Sequence, residues 1–188
     1  MLRRISCSVF PLLLLGTLSC HAANAVKLPD PATDAPLNKN QGAQTVVLAG
    51  GCFWGIQAVF EHVKGVSNVT AGYSGGSAQT AQYETVSTGT TGHAESVRIV
   101  YDPGQISFGQ LLKVFFSVAH NPIELNRQGP DDGTQYRSVI FYANDDQRRI
   151  AQAYIDQLNR QSVCPADCDT GGGVQGLLSC RGLSSGLR

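Results

Sequence analysis

Residues 45–65 read TVVLAGGCFWGIQAVFEHVKG, and this stretch decides the fold. Thr45 to Ala49 is a short β-branched apolar run closed by Gly50 and Gly51, which reads as a strand. From Phe53 the apolar positions Ile56, Val59, Phe60 and Val63 recur at helical spacing, and Gly65 follows as a stop. Cys52 stands at the junction of the two.

Outward from that unit, Val66 to Tyr73 is strand-like and ends in the glycine turn GYSGG (72–76). Glu95 to Tyr101 alternates, with Val97, Ile99 and Tyr101 on one face, and stops at Asp102-Pro103-Gly104. Ser107 can cap a second helix whose buried face carries Phe108, Leu111, Leu112, Phe115 and Phe116. Residues 137–143 (RSVIFYA) form another strand, and Asn144 caps a last helix running to about Gln161. The order β-α-β-β-α-β predicts an α+β, ferredoxin-like split βαβ sandwich. The connections 74–93 and 119–135 read as loops longer than such a sandwich needs, and long loops tend to carry function.

The ends differ from this middle. Arg3 and Arg4 precede an apolar run from Val9 to Leu18, and Ala23-Asn24-Ala25 offers a small-x-small cleavage pattern. That run is shorter than the roughly 20 residues a bilayer span takes, so 1–25 is expected to be an export signal peptide. A lipoprotein signal ending at Cys20 is the rival, but Thr17-Leu18-Ser19 suits it poorly. Export places the mature protein most simply in the periplasm, with no membrane segment of its own. Residues 26–43, rich in Pro, Asn and Asp, read as a flexible lead-in to a domain over 44–161.

Charge excludes one class of partner. Fourteen basic and fourteen acidic residues leave no net charge, whereas an electrostatic nucleic-acid binder needs a basic surface. The cysteines exclude another class. Between Val26 and Gln161 the only cysteine is Cys52, so a disulfide-stapled body is ruled out despite the export signal.

At a strand-to-helix junction, unpaired N–H groups and the helix dipole favour a thiolate, which predicts a reactive Cys52. Gly50, Gly51 and Gly55 leave room around the sulfur, and Phe53 and Trp54 can wall a small apolar pocket. On position alone, a structural cysteine beside core aromatics is the plainer reading. A thiolate attacking sulfur or carbon also needs a proton donor and hydrogen bonds to developing charge. Glu95 and Tyr83 offer these from the first loop region, and Asp131 and Tyr136 from the second. His93 or His120 could instead complete a Cys–His pair for acyl transfer, although neither has hydrolase or metal-ligand spacing.

GCFWG (51–55), GYSGG (72–76), TGHAESVRIVYDP (91–103) and QGPDDGTQYRS (128–138), in this order, resemble the A type of peptide methionine sulfoxide reductase over about 44–161. His120-Asn121-Pro122-Ile123 stands where that family commonly has His-Asp-Pro-Thr. The resemblance implies that Cys52 attacks the sulfoxide sulfur and becomes a sulfenic acid, while Glu95 protonates the oxygen. It implies that Tyr83 and Tyr136 hydrogen-bond that oxygen, that Asp131 arranges the polar corner, and that Phe53 and Trp54 hold the methyl group. It also implies the S epimer as substrate, in oxidised proteins or as free amino acid, and a thioredoxin-like thiol reductant. No metal or organic cofactor is implied, and a monomer is expected.

Residues 162–188, SVCPADCDTGGGVQGLLSCRGLSSGLR, fit neither the family nor a fold: there is no aromatic residue and no periodicity. A back-translation of Cys164 to Arg188 exists that, read one base later, gives APPIVTRVEEFKGFYPAEAYHQDY, which resembles the family's C-terminal region. The sequence therefore predicts an aberrant tail created by a frame shift near 161–164. That leaves a strand and an aromatic cluster missing, and a sheet edge open. Three further readings follow from the tail. Cys164, Cys168 and Cys180 could be resolving thiols, or could hold zinc with weak spacing for it. Alternatively, the chain is a catalytically impaired fragment.

Overall fold

The computed structural model describes residues 27–160 and the backbone of 178–179. The export signal expected at 1–25 lies outside the described residues, as do Cys164, Cys168 and Cys180. In chain order the elements are β1 (Gln44–Ala49), α1 (Phe53–Phe60), β2 (Val66–Ser74), α2 (Tyr83–Val86), β3 (Ala94–Tyr101) and α3 (Phe108–Val114). There follow β4 (Arg127–Gln128), β5 (Asp131–Asp132), β6 (Val139–Phe141), α4 (Asp145–Arg160) and β7 (Leu178–Ser179). Among them the main sheet runs β2-β3-β1-β6-β7.

β1 is central because Val46 to Ala49 are apolar on both faces and all four are buried. Val46 and Leu48 join the main core with Val97, Ile99 and Tyr101 of β3, under Ile56, Phe60, Leu111, Leu112, Ile150 and Tyr154 of the helices. Val47 and Ala49 point the other way, as strand alternation requires, and pack with Ala94, Val139 and Phe141. β1 pairs antiparallel with β3 and β6, and β2 antiparallel with β3, which is the split βαβ order the sequence predicts. Both expected caps form. The Gln110 N–H donates to Ser107 Oγ at 3.2 Å, and the Gln147 N–H to Asn144 Oδ1 at 2.9 Å.

Four expectations need correction. α1 stops at Phe60, because residues 61–63 already turn through bonds such as Val63 N–H to the Phe60 carbonyl, so Val63 packs from a turn rather than a helix. The two long loops are not unstructured: the first holds a 3-10 turn (Ala78–Thr80) and α2, the second a β4–β5 hairpin and a 3-10 turn (Thr134–Tyr136). The edge of β6 is not bare, since Leu178 and Ser179 pair with Ile140 and Phe141 in parallel.

The fourth concerns the lead-in, whose described part is a strap rather than a flexible arm. Leu28 is buried in the main core. The Pro29 carbonyl accepts from Tyr154 Oη at 2.8 Å, and Gln157 clasps the backbone of Asp30 and Ala32. Asp34 accepts from the Ser107 hydroxyl and from the Gly109 N–H, adding a second cap to α3. Composition hides this because a single apolar residue makes the hydrophobic contact. Leu28→Ala is expected to cost about 2–3 kcal/mol and to expose the 29–43 backbone to protease. Urea unfolding and limited proteolysis check both, and unchanged stability would mean the strap is not docked.

Candidate active site

The site forms where the C-terminal end of β1, the start of α1 and both long loops meet. Cys52 is the N-cap of α1, half-buried, unpaired by disulfide and with no side-chain cap bond. Two glycines before it are required sterically. A Cβ on Gly50 would lie 2.8 Å from the His120 ring, and one on Gly51 would lie 2.6 Å from the Gln128 side chain. Gly51 also has φ +102°, where a side chain is strained. The second loop therefore lies directly on the backbone leading to the thiol. A π-helical turn (Phe115–Ala119) after α3 delivers His120 to that position.

Glu95 comes to the thiol from β3. Its Oε2 accepts the Phe53 N–H at 3.1 Å, so the first amide of α1 is held by a carboxylate from 42 residues away. Glu95 is buried, and desolvation raises its pKa above the usual carboxylate value; the Phe53 N–H lowers it and the charge of Asp131 raises it. Tyr136 is raised by burial first, then by Glu95 and Asp131. Asp131 and Tyr136 thus lie within electrostatic reach of Glu95, and Tyr83 within reach of Tyr136. Asp131 sits on the β4–β5 hairpin, Tyr136 ends the following 3-10 turn, and Tyr83 opens α2 as an exposed side chain.

Next to Cys52 in α1, the Phe53 and Trp54 rings lie 5.6 Å apart at 41°. Phe53 is buried while Trp54 is 69 % exposed, so the apolar wall is open to solvent at one end. All seven residues expected from the sequence thus gather at this end of the sheet. Sequence reading missed Tyr73, which stands directly opposite Glu95 in the β2–β3 register with its ring 5.7 Å from Phe53. It also missed Arg137, whose guanidinium donates to the carbonyls of His93, Gly92 and Thr134 and so ties the two loops together. Its place beside Tyr136 in GTQYRS was the only sequence signal.

The Cys–His alternative does not form. His93 Nδ1 accepts the Gly76 N–H and its Nε2–H donates to the Ser77 carbonyl, which occupies both ring nitrogens with backbone. His120 stacks on Phe115 at 3.9 Å, donates Nδ1–H to the Phe115 carbonyl, and burial pushes its pKa down to about 4. It is a neutral packing group.

Comparison with known proteins bears on the family. A profile of the family described as Peptide methionine sulfoxide reductase matches residues 44–170, running past the boundary at 161 expected from sequence. The chain is 63 % identical over 125 residues to Peptide methionine sulfoxide reductase MsrA 2 of Mesorhizobium japonicum, covering 66 % of this chain and 64 % of that protein. It is 56 % identical over 138 residues to the Synechocystis sp. protein of the same name, covering 72 % and 64 %. Among solved structures, Methionine sulfoxide reductase A of Corynebacterium diphtheriae superposes with TM-score 0.56 at 31 % identity, covering 81 % of this chain and 78 % of that one. Mxr1 from Saccharomyces cerevisiae in reduced form gives TM-score 0.60 at 28 % identity, covering 72 % and 78 %. The chain spans just under two thirds of the length of the two bacterial relatives, 64 % in each case.

Proposed function

Because the chain belongs to the peptide methionine sulfoxide reductase family, we propose that it reduces methionine S-sulfoxide, in proteins and as the free amino acid, through a Cys52 sulfenic acid. The observation that carries this reading is the bond from the Phe53 N–H to Glu95, which fixes a buried acid beside the residue that follows the thiol. A chiral sulfoxide needs its methyl group and its oxygen on opposite sides of the attacked sulfur. Phe53 and Trp54 supply an apolar side; Glu95, Tyr83 and Tyr136 supply a polar one, with burial first and Asp131 after it holding Glu95 toward its protonated form.

The Cys52 thiolate attacks the sulfoxide sulfur while Glu95 gives its proton to the oxygen. The S–O oxygen passes to Cys52, the methionine thioether leaves reduced, and Cys52 is oxidised to Cys–SOH. A second thiol then forms a disulfide with Cys52 and releases water, and a thioredoxin-like dithiol reduces that disulfide. The enzyme works on this reading as a monomer, and it is exported to the periplasm on the strength of the Arg3-Arg4, Val9 to Leu18 and Ala23-Asn24-Ala25 pattern.

The tail belongs to the same proposal as the product of a frame shift near 161–164, supported by the family-like string in the shifted frame. Sequencing both strands there decides it; an unshifted, consistent reading sinks it. For the activity, the purified protein is incubated with dithiothreitol and each stereochemically pure methionine sulfoxide peptide. Loss of the S epimer alone is expected. Loss of the R epimer, or of neither, would overturn the proposal.

A further inference from the structure

Tyr73 has no part in the proposed chemistry, yet three observations place it at the hinge of the site. It is paired with Glu95 across β2 and β3, so it stands on the strand that flanks the acid. Its ring lies between two others, 5.7 Å from Phe53 at 38° and 6.1 Å from His93 edge-on at 61°. His93 is immobilised by two backbone hydrogen bonds, to Gly76 and Ser77. A rigid line therefore runs from the 76–77 backbone through His93 and Tyr73 to Phe53, and on to Trp54 at 5.6 Å. These centroid separations are in the range where aromatic pairs attract, so each ring restrains the next.

We propose that Tyr73 is a positioning residue that sets the alkyl specificity of the site, by backing the Phe53 ring against which the methyl group of the sulfoxide packs. The inference rests on the proposed activity and names what limits the group on sulfur. Phe53 is the first residue of α1, with its backbone fixed by Glu95 and its ring buried in the main core. Tyr73 is the aromatic support of that ring from β2. With the ring in place the pocket admits a methyl group and meets an ethyl group with a wall. A missing or extra methylene in a well-defined apolar pocket changes selection by about 10–200-fold. The Tyr73 hydroxyl is not part of this argument, so Tyr73→Phe keeps the property and Tyr73→Leu loses it.

Trp54 is the only tryptophan in the chain, so its fluorescence reports binding at this pocket without turnover. The test titrates the Cys52→Ser protein, which cannot consume its ligand, with N-acetylmethionine sulfoxide and its S-ethyl homologue. Binding that prefers methyl is expected, with the preference unchanged in Tyr73→Phe and reduced about tenfold in Tyr73→Leu. Should Tyr73→Leu fail to fold by circular dichroism, Tyr73→Met decides: it keeps Trp54 the only tryptophan, and a flexible side chain behind Phe53 is expected to reduce the preference in the same direction. An equal methyl-to-ethyl ratio in the parent and in whichever of these variants folds overturns the inference and leaves the proposed activity standing. No saturable signal with either ligand in the parent overturns both.

Discussion

Cys52→Ser is expected to lower turnover of methionine S-sulfoxide by at least about 10⁴-fold, to background, since removing the nucleophile of a covalent mechanism leaves only binding and electrostatic assistance. The substitution is nearly isosteric. Cys52 makes no side-chain hydrogen bond as the N-cap of α1, and serine is a better cap than cysteine. The fold is therefore expected to survive with equal or slightly higher thermal stability, which separates lost chemistry from lost structure. The measurement is epimer-resolved chromatography of a sulfoxide peptide, beside a melting curve of the same preparation. Retention of even a tenth of the activity would show another group doing the chemistry. A second readout uses the unsubstituted protein: without reductant it is expected to convert one equivalent of substrate and to trap a sulfenic-acid reagent at Cys52. A reagent found on another residue would reassign the nucleophile.

How much of this was legible in the sequence depends on how local the cause is. The β1–α1 unit was readable because a continuous apolar run, two glycines and a helical period are all within 45–65. The caps at Ser107 and Asn144 were readable for the same reason, since an N-cap bond reaches only three residues on. The strap was not. Its contacts at Tyr154 and Gln157 lie 125 residues or more from their partners at Pro29, Asp30 and Ala32, and no local pattern announces them. The site divides in the same way. Resemblance named Glu95, Tyr83, Tyr136 and Asp131, but only the fold shows that the helix amide at Phe53 and the acid at Glu95 bond each other. Tyr73 was passed over inside a glycine turn. Its importance depends on the β2–β3 register, which a one-residue slip would reverse.

Glu95→Gln is expected to reduce activity by about 10²–10⁴-fold, the range for losing a positioned general acid, while making the folded protein more stable at neutral pH. Both follow from the same desolvation. Burial raises the folded-state pKa of Glu95, so the folded protein holds this proton where the unfolded chain has released it. The group's contribution to stability is then fully present below the unfolded carboxylate value and is lost as pH rises through the raised folded value. Once the pH is above that raised value a charged Glu95 is buried at a cost offset only in part by the Phe53 N–H, and glutamine, neutral at every pH and still able to accept that N–H, avoids it. Melting temperatures of the two proteins should therefore separate at neutral pH, with the variant higher, and converge on acidification. The activity profile carries the complementary signature. Wild-type turnover needs protonated Glu95 and falls as pH rises through its raised pKa, whereas the residual turnover of the variant lacks that fall. A variant that loses activity but melts below the wild type at pH 7 would mean that Glu95 holds the fold rather than the proton, and the acid would have to be sought among Asp131, Tyr83 and Tyr136.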